Sequence, residues 1–195
     1  MKEKAPAEGL VRADLSKSSP ASNLAFNEEI KALKRAGRNI YHFAFGLSPF
    51  PVPKCMVRHV QEFSHVNEYL PMSGIAELRE EVVKFHKKYD NISLDVDNFV
   101  VGPGSKELIY LTMTTFSGDI ILPTPAWTTY APQIGLAGKT PILAETNRDI
   151  GWKLTPDILE EAAEKSNTSW KLLILTNPGN PSGTCYTDDQ LAALR

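Results

Sequence analysis

Cysteine is scarce in this chain: Cys55 and Cys185 are the two among 195 residues, far apart and outside any Cys-x-x-Cys or Cys/His spacing. That excludes a disulfide framework and a zinc knuckle, and both read as ordinary thiols. The four histidines, His42, His59, His65 and His86, are scattered and show no metal-ligand spacing. No apolar run approaches the ~20 residues of a membrane span, and the opening Met-Lys-Glu-Lys-Ala-Pro-Ala-Glu lacks the apolar core of a signal peptide. A cytoplasmic protein without membrane contact is expected. An excess of one charge is missing too, with 21 basic and 23 acidic residues interspersed to a net charge of -2. No basic face is available for nucleic acid, which leaves small molecules as the expected partners. Internal repeats and low-complexity tracts are also lacking.

What is present is 42% hydrophobic residues, enough for an ordinary core in one large domain or two small ones. Residues 1–22 read as a flexible lead-in. Asn23 to Arg38 carries Leu24, Ile30 and Leu33 at helical spacing before the stop at Gly37, and a short apolar segment, Ile40 to Phe45, follows. Ser48 to Pro53 holds three prolines and must be an extended loop. Helices are predicted over Lys54 to Phe63 and Gly74 to Tyr89, separated by a loop at Asn67 to Ser73.

Beyond residue 97 the pattern changes. β-rich runs at Asn98–Val101, Asp119–Leu122, Thr140–Leu143 and Lys171–Leu175 alternate with helical stretches at Lys106–Thr115, Thr128–Ala137 and Thr155–Lys165. This alternation predicts an α/β fold, a mainly parallel sheet with helices on both faces. The final residues, from Thr187, read as the opening of another helix. A parallel sheet that stops after a fourth strand leaves an apolar edge, so the pattern argues for missing partners.

Three segments follow strands at the edge where open α/β sheets bind ligands. In Val100-Val-Gly102-Pro-Gly104-Ser105-Lys106, a glycine turn opens a helix, and its free N–H groups and the Ser105 hydroxyl suit a phosphate; glycine also serves such turns for structural reasons alone. Trp127, in Pro123-Thr-Pro-Ala-Trp127-Thr-Thr-Tyr130, either stacks on a planar ring or caps the core. Asn177-Pro-Gly-Asn180-Pro-Ser-Gly-Thr184 repeats Asn-Pro and glycine at one edge, more constraint than a turn needs, and reads as functional.

These segments, in this order, resemble the class I/II aminotransferases of fold type I, pyridoxal 5'-phosphate enzymes, over roughly residues 23–195. The Asn-Pro segment is the most specific part, and the resemblance implies that Asn180 hydrogen-bonds the phenolic oxygen of the cofactor. Tyr69-Leu-Pro-Met-Ser-Gly74 followed by Leu78-Arg79 resembles the family element whose tyrosine reaches the cofactor phosphate of the neighbouring subunit. Gly104, Ser105 and Lys106 fall on the phosphate-binding turn, and Trp127 on the aromatic that stacks over the pyridine ring. Gly46 resembles the glycine near the substrate carboxylate, with Trp127 and Asn180 also lining the substrate. The resemblance further implies a homodimer that exchanges an amino group between an L-amino acid and a 2-oxo acid, and an incomplete large domain, 67–195, with the N-terminal part of a small domain, 23–66.

No catalytic residue is assigned. The family's Schiff-base lysine is expected beyond Arg195, as are its aspartate on the pyridine nitrogen, its tyrosine on the phenolic oxygen and its carboxylate-binding arginine; Lys106 opens a helix and is a poor substitute. The same motifs leave open a lyase resembling aminocyclopropane-carboxylate synthase, or an inactive binding module on the same fold. A Rossmann dehydrogenase is disfavoured, because Gly102 and Gly104 lack the third glycine of that fingerprint.

Overall fold

The computed structural model describes residues 22–41, 43, 46 and 48–195, so residues 1–21 of the expected lead-in, and His42, Ala44 and Phe45 of the Ile40–Phe45 segment, lie outside the described residues. The elements in chain order are α1 (Ser22–Arg35), α2 (Lys54–Phe63), α3 (Ala76–Tyr89), a 3-10 turn (Val96–Asn98), α4 (Ser105–Thr115), β1 (Asp119–Thr124), α5 (Tyr130–Leu136), β2 (Ile142–Glu145), α6 (Pro156–Glu164), β3 (Lys171–Leu173) and α7 (Asp188–Ala193). They divide into two compact units, Gly46–Ile109 and the remainder, Met1–Phe45 with Tyr110–Arg195.

The larger unit holds the sheet. Its three strands are parallel in the order β2-β1-β3, with Ile121 level with Ile142 on one side and Leu173 on the other. The central strand is a continuous apolar run, and Ile120, Ile121 and Leu122 are 0%, 2% and 3% exposed. Consecutive side chains on a strand point to opposite faces, so β1 is buried on both. On one face Ile121 packs with Ala144 of β2, Leu154 and Ala162 of α6. α5 packs on β1 as well. The α/β architecture with a covered parallel sheet is as the alternating pattern predicts.

Local chemistry starts the helices where expected. Thr155 accepts the Ile158 N–H at 3.4 Å with Pro156 in the first turn of α6. At α7, Thr187 and Gln190 cap each other, 3.2 Å and 3.0 Å, satisfying two N–H groups that the helix leaves over. α5 starts two residues after Thr128, because Thr128 and Thr129 form a turn, and β2 starts after Pro141, which has no N–H to give a ladder.

The start of β1 is clasped to the loop before β3. The Asp119 carboxylate accepts the Ser166 hydroxyl at 2.8 Å, and the Asp119 N–H donates to Thr168 Oγ1 at 3.0 Å. The Ser166 bond first, and the Thr168 hydroxyl after it, hold the Asp119 pKa below its ordinary value. Gly118 is buried against the carbonyl of Trp170.

In the unit Gly46–Ile109, the run Ser48–Pro53 has no helix or strand, as its prolines require. The strand expected over Asn98–Val101 does not form. Asp95 accepts the Asp97 N–H while Asn98 accepts the Asp95 N–H, at 3.0 Å and 2.9 Å, so Asn98 is spent on capping the 3-10 turn. Arg79, largely buried, donates to the Val96 carbonyl at 3.1 Å and pins that turn to α3. Val101 then donates to Ser73 at 3.0 Å, a loop contact in place of a ladder. β-branched residues without a partner strand do not make a strand, and the sheet has three strands among the described residues, not four.

Candidate functional site

β1 and β3 are neighbours in a parallel sheet, so the segments that leave their carboxyl ends emerge at one edge. The segment after β3 is closed by its own hydrogen bonds. Gly179 N–H donates to the Thr184 carbonyl and Gly183 N–H to the Gly179 carbonyl, each at 2.8 Å, while the Ser182 and Thr184 hydroxyls lie 3.0 Å apart. The Asn177 side chain accepts the Tyr186 N–H at 3.1 Å and ties the two ends together. Tyr186 in turn accepts the Leu154 N–H on its hydroxyl at 2.6 Å and packs on the core. The peptide bonds before Pro178 and Pro181 are cis, as is that before Pro125.

This geometry separates the two asparagines. Asn177 is used inside the loop, whereas Asn180 is exposed and its amide has no hydrogen-bond partner among the described residues. A rigid loop that presents a free amide offers both a donor and an acceptor to a ligand, with little ordering left to do on binding.

Across from it, after β1, Trp127 is half-buried and meets Tyr130 edge-on, ring centroids 5.3 Å apart at 85°. Tyr130, 9% exposed, brings its hydroxyl to 3.3 Å from Thr176 Oγ1, the residue before Asn177. Between the two segments is a cavity of about 30 Å³, lined among others by Ala126, Tyr130, Thr176, Asn180, Ser182 and Thr184. It has room for about one water and none for an aromatic ring. A flat aromatic and a free amide at one sheet edge suit a planar, polar ligand lying outside that cavity.

The glycine turn belongs to the other unit. Gly104 has φ +120°, in the range that side chains avoid, with no heavy atom within 4 Å of where a Cβ would stand, so the backbone angle and not crowding demands glycine there. Ser105 begins α4, and it and Lys106 are exposed; Glu107 N–H closes the turn onto the Gly104 carbonyl at 3.2 Å. The first N–H groups of a helix together with a serine hydroxyl are donors of the kind that hold an anion.

Of the residues the sequence singles out, Trp127 and Asn180 thus share the edge of the sheet. Gly104, Ser105 and Lys106 form their own turn in the unit Gly46–Ile109, where Tyr69 is fully exposed on a loop and Gly46 is exposed. Sequence reasoning did not single out Tyr130, Thr176 or the separate role of Asn177. Tyr130 stands three residues after Trp127, but its partner is 46 residues away, and no local pattern announces such a pair.

The model of the family "Aminotransferase class I and II" matches residues 37–195. The aspartate aminotransferase of Streptomyces avermitilis is 31% identical over 195 residues, 97% of this chain and 47% of that protein. That of Bacillus subtilis is 30% identical over 183 residues, 90% of this chain and 45% of that protein. Among solved structures, the aspartate aminotransferase of Thermotoga maritima superposes with a TM-score of 0.82 at 27% identity, over 94% of this chain and 50% of its own. The chain spans about half the length of the curated relatives it matches. A family match that takes in the glycine turn, Trp127 and the whole Asn-Pro segment agrees with the parallel sheet and its loaded edge, and the chain belongs to the class I and II aminotransferase family.

Proposed function

We propose that this chain supplies cofactor-binding elements of a pyridoxal 5'-phosphate-dependent aminotransferase, one that exchanges an amino group between an L-amino acid and a 2-oxo acid. The anchoring lysine then comes from sequence outside residues 1–195. The observation that carries the reading is the free Asn180 amide, held in a hydrogen-bonded loop at the same sheet edge as Trp127. The donor set fits the cofactor: helix-start amides for a phosphate, an indole for a flat ring, an amide for a phenolic oxygen.

Pyridoxal phosphate supplies the electron sink that makes the substrate Cα–H acidic. The residues of this chain bind and orient. The amides of Gly104, Ser105 and Lys106 and the Ser105 hydroxyl would hold the phosphate, Trp127 would stack on the ring, and Asn180 would donate to the phenolic oxygen and so favour its ionised form. Gly46, Trp127 and Asn180 border the substrate. The reading extends to a cytoplasmic homodimer acting in amino acid metabolism, in which Tyr69 reaches the neighbour's phosphate; full exposure of Tyr69 and an α2 with no buried residue are consistent with a covered face there. It also assigns 23–66 to a small domain and 67–195 to the cofactor-binding domain. Among the described residues no helix is long and apolar enough to cross a membrane. Relatives named for aspartate make aspartate the donor to try first.

The test is a titration of the 195-residue chain with pyridoxal phosphate, pyridoxal and inorganic phosphate, read by tryptophan emission. Saturable quenching by pyridoxal phosphate, competition by phosphate, weaker quenching by pyridoxal and a smaller signal in Trp127→Phe are expected. No saturable quenching, or full quenching in Trp127→Phe, overturns the reading.

A further inference from the structure

Tyr130 is placed to act on two ligand-facing groups at once. Its ring meets the indole of Trp127 edge-on, with the ring centroids 5.3 Å apart. Its hydroxyl lies 3.3 Å from Thr176 Oγ1, one residue before the loop that carries Asn180. The side chain is 9% exposed at the start of α5, and α5 is itself packed on β1, so the tyrosine is anchored on the sheet and not on either loop. Gly179 and Asn180 line the same small cavity as Tyr130 and Thr176. The Asn177–Thr184 loop is closed on itself by the Gly179–Thr184 and Gly183–Gly179 bonds, and Thr176 is its stem. The stem is where Tyr130 holds it.

We propose that Tyr130 is a positioning residue for the cofactor ring. Through one buried side chain it sets the separation between the stacking face of Trp127 and the amide of Asn180. It touches neither phosphate nor reacting atoms and acts only through those two residues. The inference rests on the cofactor reading of Trp127 and Asn180 given above.

The two bonding partners make a mutational cycle in the 195-residue chain: Tyr130→Phe, Thr176→Val and the double variant, with Thr176→Ser to restore the hydroxyl. The readouts are the dissociation constant for pyridoxal phosphate and the circular dichroism induced in the bound cofactor, which reports how the ring sits against its chiral surroundings. Loss of one hydrogen bond from the stem weakens binding about 3- to 10-fold and changes the induced signal, and Thr176→Ser matches the parent. The double variant is no worse than either single one, because both remove the same tie. Far-UV spectra and thermal midpoints close to the parent separate this from general unfolding; if Tyr130→Phe fails to fold, Thr176→Val against Thr176→Ser decides alone. Unchanged affinity and unchanged induced signal in Tyr130→Phe and Thr176→Val, or additive losses in the double variant, overturn the positioning role while leaving the cofactor reading intact. A parent chain that shows no saturable binding refutes the cofactor reading and this inference with it.

Discussion

Two asparagines three residues apart, Asn177 and Asn180, have the same chemistry and different surroundings, so replacing each by alanine separates structure from binding. Asn177→Ala removes the acceptor of the Tyr186 N–H, a 3.1 Å bond between the ends of the loop. A typical net hydrogen bond contributes about 0.5–1.5 kcal/mol, and at this chain length each kcal/mol corresponds to roughly 2–4 °C in thermal midpoint. Asn177→Ala should therefore lower the midpoint by a few degrees and speed hydrogen exchange at the Tyr186 amide. Asn180 is exposed with no hydrogen bond to lose among the described residues, and Asn180→Ala should change stability by less than about 0.5 kcal/mol. Its loss falls on the ligand: a hydrogen bond to an ionised phenolic oxygen is worth about 1.5–3 kcal/mol, which weakens pyridoxal phosphate binding roughly 10- to 100-fold. Calorimetry, amide exchange by mass spectrometry and the emission titration measure the three quantities on the same samples. The reasoning fails if Asn180→Ala destabilises the chain and keeps its affinity, or if Asn177→Ala leaves the Tyr186 amide as protected as before.

Gly118→Ala should be among the more damaging single-methyl changes, since its Cβ runs into the backbone carbonyl of Trp170, which has no rotamer to escape into. A loss of about 1–3 kcal/mol in a urea melt is expected, and a midpoint within error of the parent counts against the close approach of β1 and β3. For Asp119, whose folded pKa is depressed below 3.8 by the Ser166 hydroxyl, the stabilising contribution is fully present above that ordinary value and is lost as pH falls through the lower folded one. Thermal midpoints from pH 6 downward should thus fall more steeply for the parent than for Asp119→Asn; parallel curves refute the clasp.

Helices and caps were legible in the sequence because they depend on neighbours within one or two turns. Lys54–Phe63 was read to the residue, and the Thr155-Pro156 and Thr187 starts form as their side-chain chemistry dictates. The parallel sheet was legible for a similar reason: uninterrupted apolar runs such as Ile120–Leu122 suit strands covered on both faces. Asn98–Val101 had the composition of a strand, but the N–H groups of Asn98, Phe99 and Val101 went to the carbonyls of Asp95, Val96 and Ser73, and only the arrangement of distant backbone decides whether an edge is there to pair with.

The same division runs through the candidate site. By itself the sequence determined which residue types stand at the ends of β1 and β3 and at the start of α4, since glycine at a positive φ and proline in a turn are local necessities. Tertiary structure decided what those residues are free to do. Asn177 is consumed by Tyr186, nine residues on, and Asn180 is left open; Tyr130 reaches Thr176, 46 residues on. Those pairings depend on β1 and β3 lying side by side, a contact whose closing loop spans some fifty residues and leaves no periodic trace in the chain.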